Sequence, residues 1–335
     1  MIRWQLSTGQ LHVGIIFVVY LASGCVSSKD TTTQAHDMAE YRTVMDAQKA
    51  AVQGSLEDST SAIPEMTAEE HERAGDMDVQ RRNFPLASVH YSKSLQAQPS
   101  RDTVRLKLGQ IFLQQGMLNP ALTRFQELVT RIPHSAEGYQ GIGHVFLMQG
   151  KLQESEDALK KSLTLVPGNW QTHNFLGLVY DQMKRHDEAI TSYKAALALH
   201  PGEPGLLNNL GLAYALSGDH DAAIQTYEQA LTAGSASPKL HNNLGVAYAH
   251  RQRYADALNS FKKATDEPRA YNNLGVVLFS LGNPKQAAVC FEKALEVHPQ
   301  YYEKAADNLH QIRQALAHTS NGDPGLSSTE GLTCP

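Results

Sequence analysis

Apolar residues in this chain recur at spacings of three and four, and that recurrence itself repeats every 34 residues. Leu207, Leu210 and Tyr214 mark one face of a helix, and Ala223, Tyr227 and Ala230 mark a face of the next. These are the spacings of amphipathic helices. The same pair of helices is legible around Gly75, Gly109, Gly143, Gly177, Gly211 and Gly245, and around Gly275 after a shorter step of 30. Twelve residues past each glycine stand Ala87, Ala121, Ser155, Ala189, Ala223, Ala257 and Ala287, all small. Sixteen past stand Tyr91, Phe125, Leu159, Tyr193, Tyr227, Phe261 and Phe291, all large. Three past the glycine the chain has Phe112, Phe146, Tyr180, Tyr214, Tyr248 and Leu278, with Asp78 breaking the series. Glycine inside a helix costs roughly 1 kcal/mol relative to alanine. Its repetition therefore predicts close helix packing, with the large residue filling the space between units. Pro99, Pro133, Pro167, Pro201 and Pro299 end the second helices, since proline cannot continue a helix.

A fixed period of this length predicts a helical solenoid of seven units, over residues 68–101, 102–135, 136–169, 170–203, 204–237, 238–267 and 268–301. The pattern of Leu-Gly, Tyr, Ala, Tyr, Ala and Pro at these offsets resembles the tetratricopeptide repeat. The resemblance implies an all-α, right-handed α-solenoid over residues 67–301, with residues 302–318 forming a capping helix. Two departures stand out. Ser235 replaces the proline of the fifth unit, and the sixth unit is four residues short near Thr265–Pro268, which removes about one helical turn.

Before the repeats, Arg3, an apolar run over residues 11–22 and small residues have the layout of a signal peptide over residues 1–24. Leu21-Ala22-Ser23-Gly24-Cys25 resembles the bacterial lipobox, which implies lipid attachment at Cys25. A plain signal peptide or an N-terminal membrane helix is the alternative. By the same resemblance, Val26 favours the outer membrane, facing the periplasm. Residues 25–66 read as a polar tether, with a short amphipathic helix compatible with residues 35–53. Thr67 and Glu70 form a capping box that opens the first repeat helix. Residues 319–335, rich in Gly, Ser, Thr and Pro, read as a disordered tail.

The net charge of −5 and pI near 6.3 argue against a nucleic-acid surface. The sequence has no His-Glu-x-x-His, Gly-x-x-x-x-Gly-Lys, Gly-x-Ser-x-Gly or Cys-x-x-Cys motif. The fifteen histidines are scattered as packing or surface residues. No catalytic residue, cofactor, metal site or small-molecule substrate is therefore expected, and an enzyme with an unrecognised site on the solenoid is the remaining contrary reading. Cys290 reads as a packed thiol, with a Cys290–Cys334 bridge as the alternative.

The resemblance implies binding of peptides or proteins on the concave surface of the first helices. Three residues before the glycines lie Leu106, Gln140, Asn174, Asn208, Asn242 and Asn272. One turn on lie Gln110, His144, Leu178, Leu212, Val246 and Val276. A file of Asn174, Asn208, Asn242 and Asn272 offers donors and acceptors to the backbone of an extended chain, and Leu212, Val246 and Val276 would hold its side chains. The alternative is that such asparagines are solvated or bond neighbouring helices. Lys239 and Arg269 are the candidates for a carboxylate clamp. The expected function is a non-catalytic, lipid-anchored scaffold that binds envelope proteins, in pilus or secretion-machine assembly. An adaptor for peptidoglycan synthases or hydrolases is the alternative.

Overall fold

The computed structural model describes residues 66–297, 303–319 and 332–334; Cys25, the signal segment and the 35–53 helix lie outside them. The described residues form fifteen helices and no strand. They fall into two units that divide between Leu199 and His200. The N-terminal unit holds four hairpins: α1 (Ala68–Gln80) with α2 (Phe84–Ala97), α3 (Asp102–Gln114) with α4 (Leu118–Arg131), α5 (Ala136–Met148) with α6 (Leu152–Leu165), and α7 (Trp170–Gln182) with α8 (His186–Leu199). The C-terminal unit holds three more: α9 (Pro204–Ser217) with α10 (His220–Thr232), α11 (Pro238–His250) with α12 (Tyr254–Ala264), and α13 (Glu267–Ser280) with α14 (Pro284–Val297). A single helix, α15 (Glu303–Thr319), follows and packs on α14. Each unit is thus an α-solenoid, as the periodicity predicts.

Local chemistry sets the helix starts. The Glu70 backbone N–H donates to Thr67 Oγ1 at 3.2 Å while the Thr67 N–H donates to Glu70 Oε2 at 2.7 Å, which closes the expected capping box. Asn83, Ser135, Asn169, Asp219, Ser237 and Asp266 cap their helices by accepting one backbone N–H each. Seven residues past every repeat glycine the chain turns through the left-handed region. Gly116, Gly150, Gly218 and Gly282 take that position in four hairpins, and Arg82, Lys184 and Gln252 take it in the other three with φ of 58°, 61° and 59°. A side chain there costs roughly 1 kcal/mol.

The core is a seam of small residues facing large ones. Ala87, Ala121, Ser155, Ala189, Ala223, Ala257 and Ala287 are all fully buried, as are Tyr193, Tyr227, Phe261 and Leu159. The repeat glycines receive these large side chains from within their own hairpin. A Cβ built on Gly211 would stand 2.5 Å from Tyr227 Cε1, and one on Gly177 2.5 Å from Tyr193 Cε1. The expectation that the ring fills space between units is therefore incomplete, because its edge first occupies the slot over its own glycine. Phe125 also reaches the next hairpin, where a Cβ on Gly141 would lie 2.6 Å from its ring. Where serines replace alanine in the seam, they donate to first-helix carbonyls: Ser155 Oγ to Gly143 O at 2.6 Å, and Ser162 Oγ to Ala136 O at 2.8 Å. The aberrant Asp78 is buried too, with its carboxylate 3.7 Å from His90 Nε2.

The shortening of the sixth unit falls on α12 and the link after it: α12 has 11 residues against 13 in α10, and two residues join it to α13 where five join α10 to α11. Helix α15 starts and ends one residue later than expected. It is built as the first helix of a further unit: Ala305, Leu309 and Ile312 are buried at the spacing of Ala270, Leu274 and Val277 on α13. Cys290, fully buried on α14, is bonded to Cys334 with a Cα–Cα distance of 4.9 Å. Cys290 is therefore half of a disulfide and not a free packed thiol. The disorder expected over 319–335 does not extend to Thr319, the end of α15, or to Cys334.

Several histidines are held neutral by packing. Burial lowers the pKa of His90, His144, His220 and His241 below the ordinary histidine value. It lowers His250 to about 4, with neighbouring His220 adding to the effect. The His220 and His250 rings stack with centroids 4.1 Å apart.

Three outcomes are expected. Gly211→Ala should lose stability despite its better helix propensity, by about 1–3 kcal/mol, and Gly211→Ala/Tyr227→Leu should recover part of it in thermal denaturation. Lys184→Gly should raise stability by roughly 1 kcal/mol by removing the left-handed side chain. Because these histidines have folded pKa values below their unfolded ones, the unfolded chain takes up protons first as the medium acidifies. Stability should be fully present above about pH 6.5 and fall between there and about pH 4, as read from denaturation midpoints across that range.

Candidate peptide-binding surface

Within each unit, successive first helices also touch one another: α3 with α5 and α5 with α7 in one, α9 with α11 and α11 with α13 in the other. Among the described residues no two second helices are in comparable contact. The first helices therefore line the inner side of each unit's curve, and the residues on their free faces form the candidate surface.

In the N-terminal unit this surface is laced with charge pairs. Glu72 and Asp76 on α1 are each held at 2.8 Å by Lys107 Nζ from α3, and Arg101 also donates to Glu72. Tyr91 Oη donates to Asp76 at 2.7 Å. Further along, Leu106, Gln140, Asn174 and Leu178 are half-buried and Gln110 is exposed. The His144 ring stacks on Phe175 with centroids 4.2 Å apart.

In the C-terminal unit the same positions are almost uncharged. Asn208 and Asn242 are half-buried, whereas Asn272 is only 6% exposed. Leu212, Val246 and Val276 are half-buried one turn on, and Lys239 and Arg269 are exposed one turn before. The asparagines are tied together across helices. Asn243 Nδ2 donates to Asn208 Oδ1 at 3.2 Å, Asn273 Nδ2 to Asn242 Oδ1 at 3.4 Å, and Asn308 Nδ2, on α15, to Asn272 Oδ1 at 3.0 Å. In the second and third copies of Asn-Asn-Leu-Gly the second residue thus reaches back to the first asparagine of the preceding hairpin. The helix-bonding alternative describes these oxygens, each of which accepts one bond from the following hairpin.

Phe279, which sequence reasoning passed over, is 48% exposed on α13 one turn past Val276. Its signal was present, since Ala215 and Ala249 occupy the matching positions of the two preceding hairpins. Among the described residues no group of three or more His, Cys, Asp or Glu is arranged to hold a metal ion, and no helix is long and apolar enough to cross a membrane.

The sequence model of the cilia and flagella-associated protein 70 C-terminal domain matches residues 31–268, and that of the tetratricopeptide repeat matches residues 268–301. No curated protein matches the chain. Among solved structures, a tetratricopeptide repeat protein from Parabacteroides merdae ATCC 43184 is 15% identical with a TM-score of 0.52, covering 73% of this chain and 98% of its own. The pilF protein of Pseudomonas aeruginosa is 17% identical with a TM-score of 0.50, covering 64% and 97%. The MamA protein is 31% identical over 50% of this chain and 91% of its own, with a TM-score of 0.43. The chain is a tetratricopeptide repeat protein and belongs to the cilia and flagella-associated protein 70 C-terminal domain family.

Proposed function

We propose that this protein is a non-catalytic scaffold of the bacterial cell envelope, anchored through lipid on Cys25 and facing the periplasm, that binds partner proteins on the inner face of its repeats. The observation that carries the scaffold reading is the C-terminal unit's inner face. There, nearly uncharged helices leave Leu212, Val246, Val276 and Phe279 in reach of solvent beside a row of amides. Apolar groups so arranged and rimmed by polar ones suit a protein ligand. The address rests on Leu-Ala-Ser-Gly-Cys25 and is supported by the Cys290–Cys334 bond, since disulfides persist in oxidising compartments. Several acyl chains on one residue would hold the protein firmly at a membrane. We favour pilus or secretion-machine assembly as the setting, because a repeat scaffold with this address fits that class of accessory lipoprotein.

The test is crosslinking and pull-down from membranes with the wild type, Cys25→Ser and Leu212→Glu/Val246→Glu. The wild type should fractionate with membranes and bring down a defined partner. Cys25→Ser should move to the soluble fraction, and the double variant, helical content unchanged, should lose the partner. A partner retained by the double variant would remove the inner face from the function.

A further inference from the structure

Away from its inner face, the N-terminal unit carries an apolar edge that bears on how an anchored protein meets its membrane, an inference that rests on the Cys25 reading above. In this unit second helices end where first helices begin. Ser94 Oγ near the end of α2 donates to Ala68 O at 2.6 Å, Arg131 Nε at the end of α4 donates to Asp102 Oδ1 at 2.7 Å, and Ser162 Oγ of α6 donates to Ala136 O at 2.8 Å. Both sets of ends therefore lie on one edge. Met66, Ile132, Val166 and Leu199 stand there, between 39% and 45% exposed. Met66 precedes the Thr67 cap of α1, Ile132 and Val166 are the C-terminal caps of α4 and α6, and Leu199 ends α8. Exposed Pro133 and Pro167 widen the ridge, and half-buried Trp170 opens α7 at the same edge.

The fold does not ask for these side chains. Gln98, His200 and His298 precede the turn prolines of other hairpins, and Gly234 holds the matching place in the fifth. Single exposed apolar residues are ordinary, but four aligned on one edge form a patch that calls for a partner. The chain itself indicates which. The segment that starts at Cys25 joins the solenoid at Met66, so the edge that carries the ridge also receives the tether. An acylated Cys25 would keep this edge near a bilayer, where an apolar contact too weak to act alone suffices. Charges at the edge are of both signs: Asp102 pairs with Arg131, Glu69 with Arg73, and Glu137 and Lys161 are exposed. Attraction there comes from apolar contact and not from net charge. A tryptophan, apolar in body with one polar N–H, suits the boundary between lipid and water.

We propose that this edge of the N-terminal unit lies on the phospholipid surface that holds the anchor, with Ile132, Val166 and Leu199 set into the boundary between headgroups and acyl chains. The helices of the unit then stand on end, and their inner face opens sideways, clear of the lipid. The opposite edge, where Met148 ends α5, points away from the membrane.

Quenching by nitroxide-bearing lipids tests this on the lipidated protein in phosphatidylethanolamine–phosphatidylglycerol vesicles. Cys290 and Cys334 are bonded to each other and Cys25 would be acylated, so an added cysteine is the one free thiol for a fluorescent label. Gly168→Cys, exposed with open space around it, reports on the edge without altering the ridge, and Met148→Cys reports on the opposite edge. The Gly168 label should be quenched and the Met148 label should not, at low and high salt alike. Ile132→Ser/Val166→Ser/Leu199→Ser should lose the quenching while the protein, helical content unchanged, still floats with the vesicles. Equal quenching of the two labels, quenching that persists in the triple variant, or quenching abolished by salt would each overturn the edge inference. A wild type that is never quenched, paired with a triple variant that loses the partner in the membrane pull-down, would assign the ridge to that partner instead. Protein that does not float would overturn the anchor reading and this inference with it, so the two failures are distinguishable.

Discussion

The structure depends on a fit between a missing side chain and a ring. In six of the seven hairpins an aromatic edge sits where a Cβ would be, and in the third Leu159 does so against Gly143. The approach it allows is what makes two short helices a stable unit, because neither helix alone buries a continuous apolar face. Each hairpin still leaves one flank for its neighbour, and the fully buried small residues twelve positions past the glycine keep the two helices of each hairpin in close contact. Steric tightness of this kind tolerates little variation in volume, which is why the offsets repeat so strictly while surface residues between them drift.

Much of this was legible before any coordinates, because close packing leaves its mark on every copy. The 34-residue period and the helix pairs follow from it, while the capping box at Thr67 was legible from Thr-x-x-Glu and the terminal helix from its own apolar spacing. What stayed unseen or undecided lacked a compositional mark. The left-handed position seven residues past the glycine is hidden in three hairpins by Arg82, Lys184 and Gln252, where the turn imposes a backbone state that the residue itself does not favour. The Cys290–Cys334 bond joins residues 44 apart, and spacing says nothing about proximity. The asparagine file could be placed on a face from helical geometry alone, but which amide atoms bond the neighbouring helix depended on contacts between hairpins.

The two units present unlike inner faces. In the N-terminal one, Glu72, Asp76, Arg101 and Lys107 satisfy each other across hairpins, so the surface is polar yet internally spent. In the C-terminal one, charge is sparse, and half-buried asparagines stand beside apolar side chains. A binding preference can thus reside in one segment of a repeat array whose fold is uniform, since the positions that build the seam and those that face inward are different residues of the same helix.

The asparagine hand-holding gives the array a direction. In the C-terminal unit α11 and α13 each supply an amide to an oxygen of the hairpin behind, and α15, with Asn308, does this for the last full hairpin. A closing helix of this type works as a grammatical full stop: it answers the oxygen of Asn272 and puts the exposed, water-seeking Asp307 at the position where the earlier helices carry asparagine. Lengthening or shortening such a protein by whole units, in evolution or by engineering, is then a matter of inserting or deleting ahead of that terminal word.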